Sequence, residues 1–152
     1  MEHRVPYVKF YYHLVWATKQ REPLITDDRV DVVRQSLAAI AVKHDVFVHA
    51  IGIMPDHVHL AVSIPPRYAV SDIVQKLKGL SSRRIREGVV QPGDGFAWQP
   101  EYGALTFGEK SLADVIGYVT NQQEIHAKRL LRPSFEQVER PFQPKPEFTG
   151  DR

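Results

Sequence analysis

Gly52-Ile53-Met54-Pro55-Asp56-His57-Val58-His59-Leu60-Ala61-Val62 is the stretch from which the fold can be read. Pro55-Asp56 marks a tight turn between two runs rich in apolar and β-branched residues, so residues 47–54 and the run beginning at His57 predict a hairpin. Side chains alternate along a strand. His57 and His59 therefore share one face, while Val58, Leu60 and Val62 share the other and point into a core. Two neutral imidazoles on adjacent same-face positions can hold a divalent ion if a third ligand arrives from elsewhere in the fold. The competing reading is a pair of solvated histidines on an exposed sheet face, and the spacing alone does not separate the two.

The chain has 152 residues, enough for one compact core, with 43% hydrophobic and 25% charged residues, which are globular proportions. No apolar run reaches the length of a membrane span, and the N-terminal residues lack the apolar core of a secretory signal, so the expected location is the cytoplasm. Cysteine is absent, which excludes disulfides, thiolate zinc sites and a cysteine nucleophile. Any metal site must use His, carboxylate or amide groups. A formal net charge of +2 permits nucleic acid without demanding it, so local clustering has to decide.

Upstream of the hairpin, residues 7–18 are dense in aromatic and β-branched side chains on both faces and predict a central strand, with His13 packed and hydrogen-bonded inside it. Thr26 offers an N-cap, with Asp27 and Asp28 in the first turn, to a helix reaching about His44. Downstream, Pro65 and Pro66 stop the histidine strand and Ser71 caps a second helix with Gly88 beyond its end. Lys76, Arg83 and Arg86 share one face of that helix, flanked by Lys78 and Arg84. That is either a solvated basic face or a phosphate-contacting surface. After a loop at residues 91–95, residues 102–107 read as a fourth strand. A third helix starting at Ser111 carries an apolar stripe of Leu112, Val115, Ile116, Val119 and Leu130.

Strand, helix, strand, strand, helix, strand is the split βαβ order. It implies an α+β, ferredoxin-like (RRM-like) sandwich with an antiparallel sheet, the histidine strand near its centre, and an additional C-terminal helix. Residues 1–132 form the expected domain. Residues 133–152, with Pro133, Pro141, Pro144 and Pro146 in a polar stretch, are expected to be an extended or disordered tail. On the third helix, Tyr118 and Gln122 stand one turn apart on the same face. A phenol can attack phosphorus and a glutamine carbonyl can bind a hard cation, although a tyrosine at a helix edge also serves to cover a sheet.

Met54-Pro55-Asp56-His57-Val58-His59, Tyr118 with Asn121-Gln122, the segment from Trp98-Gln99 to Tyr102-Gly103-Ala104, the first strand from Tyr12 to Lys19, and the basic helix through Ser81-Ser82-Arg83 together resemble the single-tyrosine HUH transposases of the smallest insertion sequences. The resemblance spans about residues 7–130. It implies His57, His59 and Gln122 as ligands of Mg²⁺ or Mn²⁺, and Tyr118 as the nucleophile that becomes joined to a 5′-phosphate. It implies single-stranded DNA with hairpins as substrate, and a homodimer in which the tyrosine helix of one subunit can complete the site of the other. Lys76, Lys78, Arg83, Arg84 and Arg86 would then anchor DNA phosphates. Trp16, Trp98 and Tyr102 could stack on bases, with core packing the competing fate. The segment after Leu131 departs from the family pattern, being shorter and richer in proline. His126 matches a histidine found after the tyrosine and receives no chemical role. Two other readings stay open: a host-adopted relative that binds or processes repeated palindromes, and a non-catalytic RNA-binding module, for which the sheet should display aromatics where this one carries histidines.

Overall fold

The computed structural model describes residues 2–87 and 95–141. The expected cap at Gly88, the loop at 91–94, and Pro144 and Pro146 lie outside the described residues. Strands β1 (Tyr11–Ala17), β2 (Phe47–Met54), β3 (His57–Ser63) and β4 (Gly103–Phe107) form one antiparallel sheet in the order β2-β3-β1-β4. Helix α1 (Val30–Lys43) follows β1 and α2 (Val70–Glu87) follows β3. The order expected from the alternation is present, with β1 and β3 central.

One sheet face carries Leu14, Trp16, Val58, Leu60 and Val62, all fully buried against Val33, Leu37 and Ile40 of α1 and Ile73, Leu77 and Ile85 of α2. Each such aliphatic side chain contributes about 1.5–3 kcal/mol by leaving water. Trp16 and Trp98 meet edge to face at 6.0 Å within this core, and Trp98 Nε1 donates to Ser81 Oγ at 2.9 Å. Both indoles are thus spent on packing rather than offered to bases.

The opposite face carries His13, Val15 and Ala17 of β1 beside His57, His59 and Ala61 of β3, in the register Ala17↔His57, Val15↔His59 and His13↔Ala61. It is covered by α3 (Leu112–Thr120), α4 (Gln122–Ala127) and the short α5 (Pro133–Glu136). Ala61, Val115 and Val119 form the centre of that second layer, with Ala50, Phe107 and Phe135 packed around it. Two glycines set how closely the cover can sit. A Cβ at Gly52 would fall on the backbone carbonyl of Val119, and a Cβ at Gly103 on that of Gln137. Only hydrogen at those positions lets α3 and the segment after α5 lie directly on the sheet.

Four expectations are corrected. Thr26 spends its hydroxyl on Asp28 Oδ1 at 2.5 Å instead of capping, so Asp27–Arg29 winds as a 3₁₀ turn before α1. Ser71 lies inside α2, which begins at Val70. The third helix is not continuous: it breaks at Asn121 (φ −100°, ψ 33°), and Leu130, placed on its apolar stripe, is 61% exposed. The expected tail is, over residues 133–141, docked on the sheet. Pro133 suits the first position of a helix, where no amide hydrogen is required. Phe135 then packs 4.7 Å from His13 and 5.0 Å from Tyr118, Val138 is buried, and Arg132 pairs with Asp114 at 2.5 and 2.9 Å. Apolar anchors and an ion pair outweigh the proline content. No helix among the described residues is long and apolar enough to cross a membrane.

Two glycines that look alike in the sequence should respond oppositely to alanine. Gly52→Ala must push α3 off the sheet and is expected to cost about 1–3 kcal/mol. Gly117→Ala, where a Cβ meets nothing within 4 Å, is expected to stabilise by about 0.5–1 kcal/mol. Urea denaturation of both variants checks the pair.

Candidate active site

His57 and His59 are 4% and 0% exposed, because the layer formed by α3, α4 and α5 closes over their face. Each ring is held from outside by its Nδ1. His57 Nδ1 lies 2.6 Å from Asp56 Oδ1, and His59 Nδ1 lies 2.9 Å from His13 Nε2. A carboxylate can only accept, so His57 carries its proton on Nδ1 and presents the Nε2 lone pair inward. Both Nε2 atoms are buried without a hydrogen bond among the described residues. Glu136 Oε2 comes within 3.1 Å of His59 Nε2 and 3.6 Å of His57 Nε2 without making one, and Glu136 Oε1 lies 3.6 Å from His126 Nε2. One donor atom each from His57, His59, His126 and Glu136 all fall within 4.8 Å of one another. Orphaned, inward-facing imidazole nitrogens beside a carboxylate fit a divalent cation.

Tyr118, near the C-terminal end of α3, is 3% exposed, and its ring stands 5.9 Å from that of His59. Its hydroxyl donates to Glu136 Oε1 at 2.7 Å and accepts the Arg132 backbone N–H at 3.1 Å. Burial pushes the phenol up to about 12; the Arg132 amide opposes this and the Glu136 carboxylate reinforces it. Burial would also raise the Glu136 carboxyl, but the nearby His59 ring, the hydrogen bond from the Tyr118 hydroxyl and the nearby His57 ring outweigh it and hold that group at about 2. Burial lowers His13 to about 3 and lowers His59 and His126, so all three rings are neutral near pH 7. With a phenol near 12 against a carboxyl near 2, the shared proton stays on oxygen of Tyr118.

Gln122 is buried one turn beyond Tyr118, as the spacing requires. Its Nε2 donates to the Tyr118 carbonyl at 2.7 Å, satisfying a group that the break at Asn121 leaves at a helix end, and its Oε1 lies 3.1 Å from His126 Nε2. A cation taking the Gln122 oxygen would therefore displace His126 from it.

The model of the family described as "Transposase IS200 like" matches residues 6–122. The chain belongs to this family. It is 34% identical over 117 residues to the ISDra2 transposase TnpA of Deinococcus radiodurans, covering 74% of this chain and 84% of that one. It is 29% identical over 120 residues to the transposase of insertion sequence element IS200 of Salmonella typhimurium, covering 74% and 76%. A Deinococcus radiodurans crystal structure assigned as a transposase superposes with a TM-score of 0.63 at 34% identity, covering 84% of this chain and 98% of that one. A REP-associated tyrosine transposase bound to a REP hairpin shares the fold, with a TM-score of 0.59 at 17% identity over 83% and 74% of the two chains.

In this IS200-like transposase the basic face of α2 is not one surface. Lys78 Nζ gathers the carbonyls of Gln99, Pro100 and Glu101 at 2.5, 3.0 and 3.0 Å, tying down the approach to β4, and burial lowers its pKa. Arg86 donates to the Phe96 carbonyl at 3.2 Å and Arg83 pairs with Glu87 at 3.0 Å. Lys76 and Arg84 are exposed and have no ion pair or hydrogen bond among the described residues. Two residues of the site, His126 and Glu136, receive no chemical role from the sequence. His126 had a usable signal, lying four residues after Gln122 on the same helical face. Glu136 had none, since it arrives only because the segment after Arg132 docks.

Two outcomes follow. Lys78→Met is expected to lower the melting temperature. Lys76→Met and Arg84→Met should leave it unchanged, a contrast that thermal denaturation of the three variants checks. Because the Glu136 carboxyl lies below its unfolded value of 4.5, its stabilisation is complete above about pH 4.5 and is lost as pH falls toward 2. Glu136→Gln should thus be less stable than the parent by about 1.5–3 kcal/mol at pH 7 and close to it near pH 2.5, read by denaturant titration at both pH values.

Proposed function

We propose that this transposase cleaves and rejoins single-stranded DNA at hairpin-bearing element ends through a 5′-phosphotyrosine formed on Tyr118. The observation that carries the reading is the convergence of a buried phenol and two orphaned imidazole nitrogens on one carboxylate, so that a phosphate touching both would take the place filled by Glu136. His57 and His59 would hold a divalent cation, with the third ligand drawn from Gln122 and His126. Such a cation would draw charge from a non-bridging oxygen of the scissile phosphate. Nitrogen-rich donors favour Mn²⁺ over the oxygen-seeking Mg²⁺.

Tyr118 oxygen attacks phosphorus and gives up its proton, the bond to the 3′-oxygen breaks, and that oxygen takes up a proton and leaves as a 3′-hydroxyl for later rejoining. The ester keeps the energy of the phosphodiester, so ATP is not required. The Arg132 amide stabilises charge developing on the phenol oxygen. The burial of Tyr118 keeps bulk water from competing for the phosphate. Lys76 and Arg84 anchor the backbone of the DNA without reading its sequence. The working unit we propose is a homodimer. Tyr118 and the histidine pair already meet within one polypeptide, so exchange of the tyrosine helix between subunits is a means of strand transfer and not a condition for assembling the site.

The test is a labelled single-stranded hairpin end incubated with protein and Mn²⁺ or Mg²⁺, then run on a denaturing gel. A covalent adduct is expected for the parent chain. Tyr118→Phe should abolish it, and His57→Ala should reduce it by at least 100-fold. An undiminished adduct in Tyr118→Phe would defeat the proposal.

A further inference from the structure

The two imidazoles that face the centre are oriented by chemically different partners. Asp56 holds His57 with a group that can only accept a proton; His13 holds His59 with one that can accept or donate. His13 pairs across the sheet with Ala61, two residues along β3 from His59, and the diagonal reach between neighbouring strands brings the two rings to a centroid separation of 5.1 Å. Its ring is fully buried, and Phe135 lies against it at 4.7 Å, so it cannot swing away. Its other nitrogen, Nδ1, is buried with no hydrogen-bond partner among the described residues. A histidine needed only to fill this space would be replaceable by an apolar side chain with no orphaned atom. The one side-chain hydrogen bond it makes among the described residues goes to His59.

We propose that His13 is the positioning residue for His59: its Nε2 accepts the Nδ1 proton of His59 and so keeps the Nε2 lone pair of that ring aimed at the cation. The proton of His13 then resides on Nδ1, the ring nitrogen with no hydrogen-bond partner among the described residues. The pairing makes the two faces of the site equivalent in outcome, each imidazole protonated outward and basic inward. It rests on the reading of His57 and His59 as cation ligands.

The experiment uses the full chain with ¹⁵N-labelled histidine. Two-bond ¹H–¹⁵N spectra of the metal-free protein are expected to show His59 protonated at Nδ1. Mn²⁺ titrated without DNA and followed by electron paramagnetic resonance should bind 10–100-fold more weakly to H13L. H13Q, whose amide oxygen can accept the same proton, should recover most of the loss. Hairpin binding in EDTA should be the same in all three, a result that a general loss of structure would not give. His59 protonated at Nε2 in the parent overturns the proposal even if H13L does not fold. Mn²⁺ affinity in H13L within threefold of the parent overturns it alone. No Mn²⁺ binding by the parent overturns the reading of the site, and this proposal with it.

Discussion

The missing side chain at Gly52 is the constraint on which the site depends. The carbonyl of Val119 occupies the space that any Cβ there would need, so α3 rests on the edge of β2 by backbone contact. Tyr118 precedes that contact by one residue and Gln122 follows it by three, so Tyr118 is fixed beside His59 of β3 and Gln122 beside Gly52 of β2. Close contact also removes water from the face on which the histidines lie. A looser helix would leave the same residues solvated, with ordinary proton affinities and no common focus.

Burying histidines between two apolar layers is costly unless their nitrogens are paired, and the chain pairs only half of them. Outer nitrogens meet Asp56 and His13; inner nitrogens meet nothing among the described residues that satisfies them. Elsewhere the fold obeys its local rules closely: apolar alternation on the core face, an indole donor matched to a serine, a half-buried ammonium surrounded by three carbonyls. Departures from such consistency concentrate where chemistry is done. The unmatched nitrogens, the raised phenol and the depressed carboxyl all fall within one layer of side chains.

Charge at this site is balanced against reactivity. The Glu136 carboxylate keeps the phenol in its protonated form, and Arg132 binds the same oxygen through its amide while its guanidinium lies 5.3 Å from the centre of the ring. The phenol is therefore held in place while it is still protonated. Arg132 is itself fixed by Asp114, so the start of α3 and the segment leading into α5 are held as one unit around the tyrosine.

The sequence by itself determined the strand order, the opposite facing of Val58 and His59, the central position of the histidine strand, and the one-turn spacing of Tyr118 and Gln122. All of these follow from periods of two and 3.6 residues, which are properties of neighbouring positions along the chain. Tertiary structure alone decided which groups meet there. Glu136 reaches the histidines from more than seventy residues away because Phe135 and Val138 find apolar surface and Gly103 clears their path. Lys78 turns from the expected phosphate contact to a backbone clamp because the carbonyls of residues 99–101 come within its reach. Such encounters depend on docking between segments distant in sequence, and no local pattern encodes the distance at which they close.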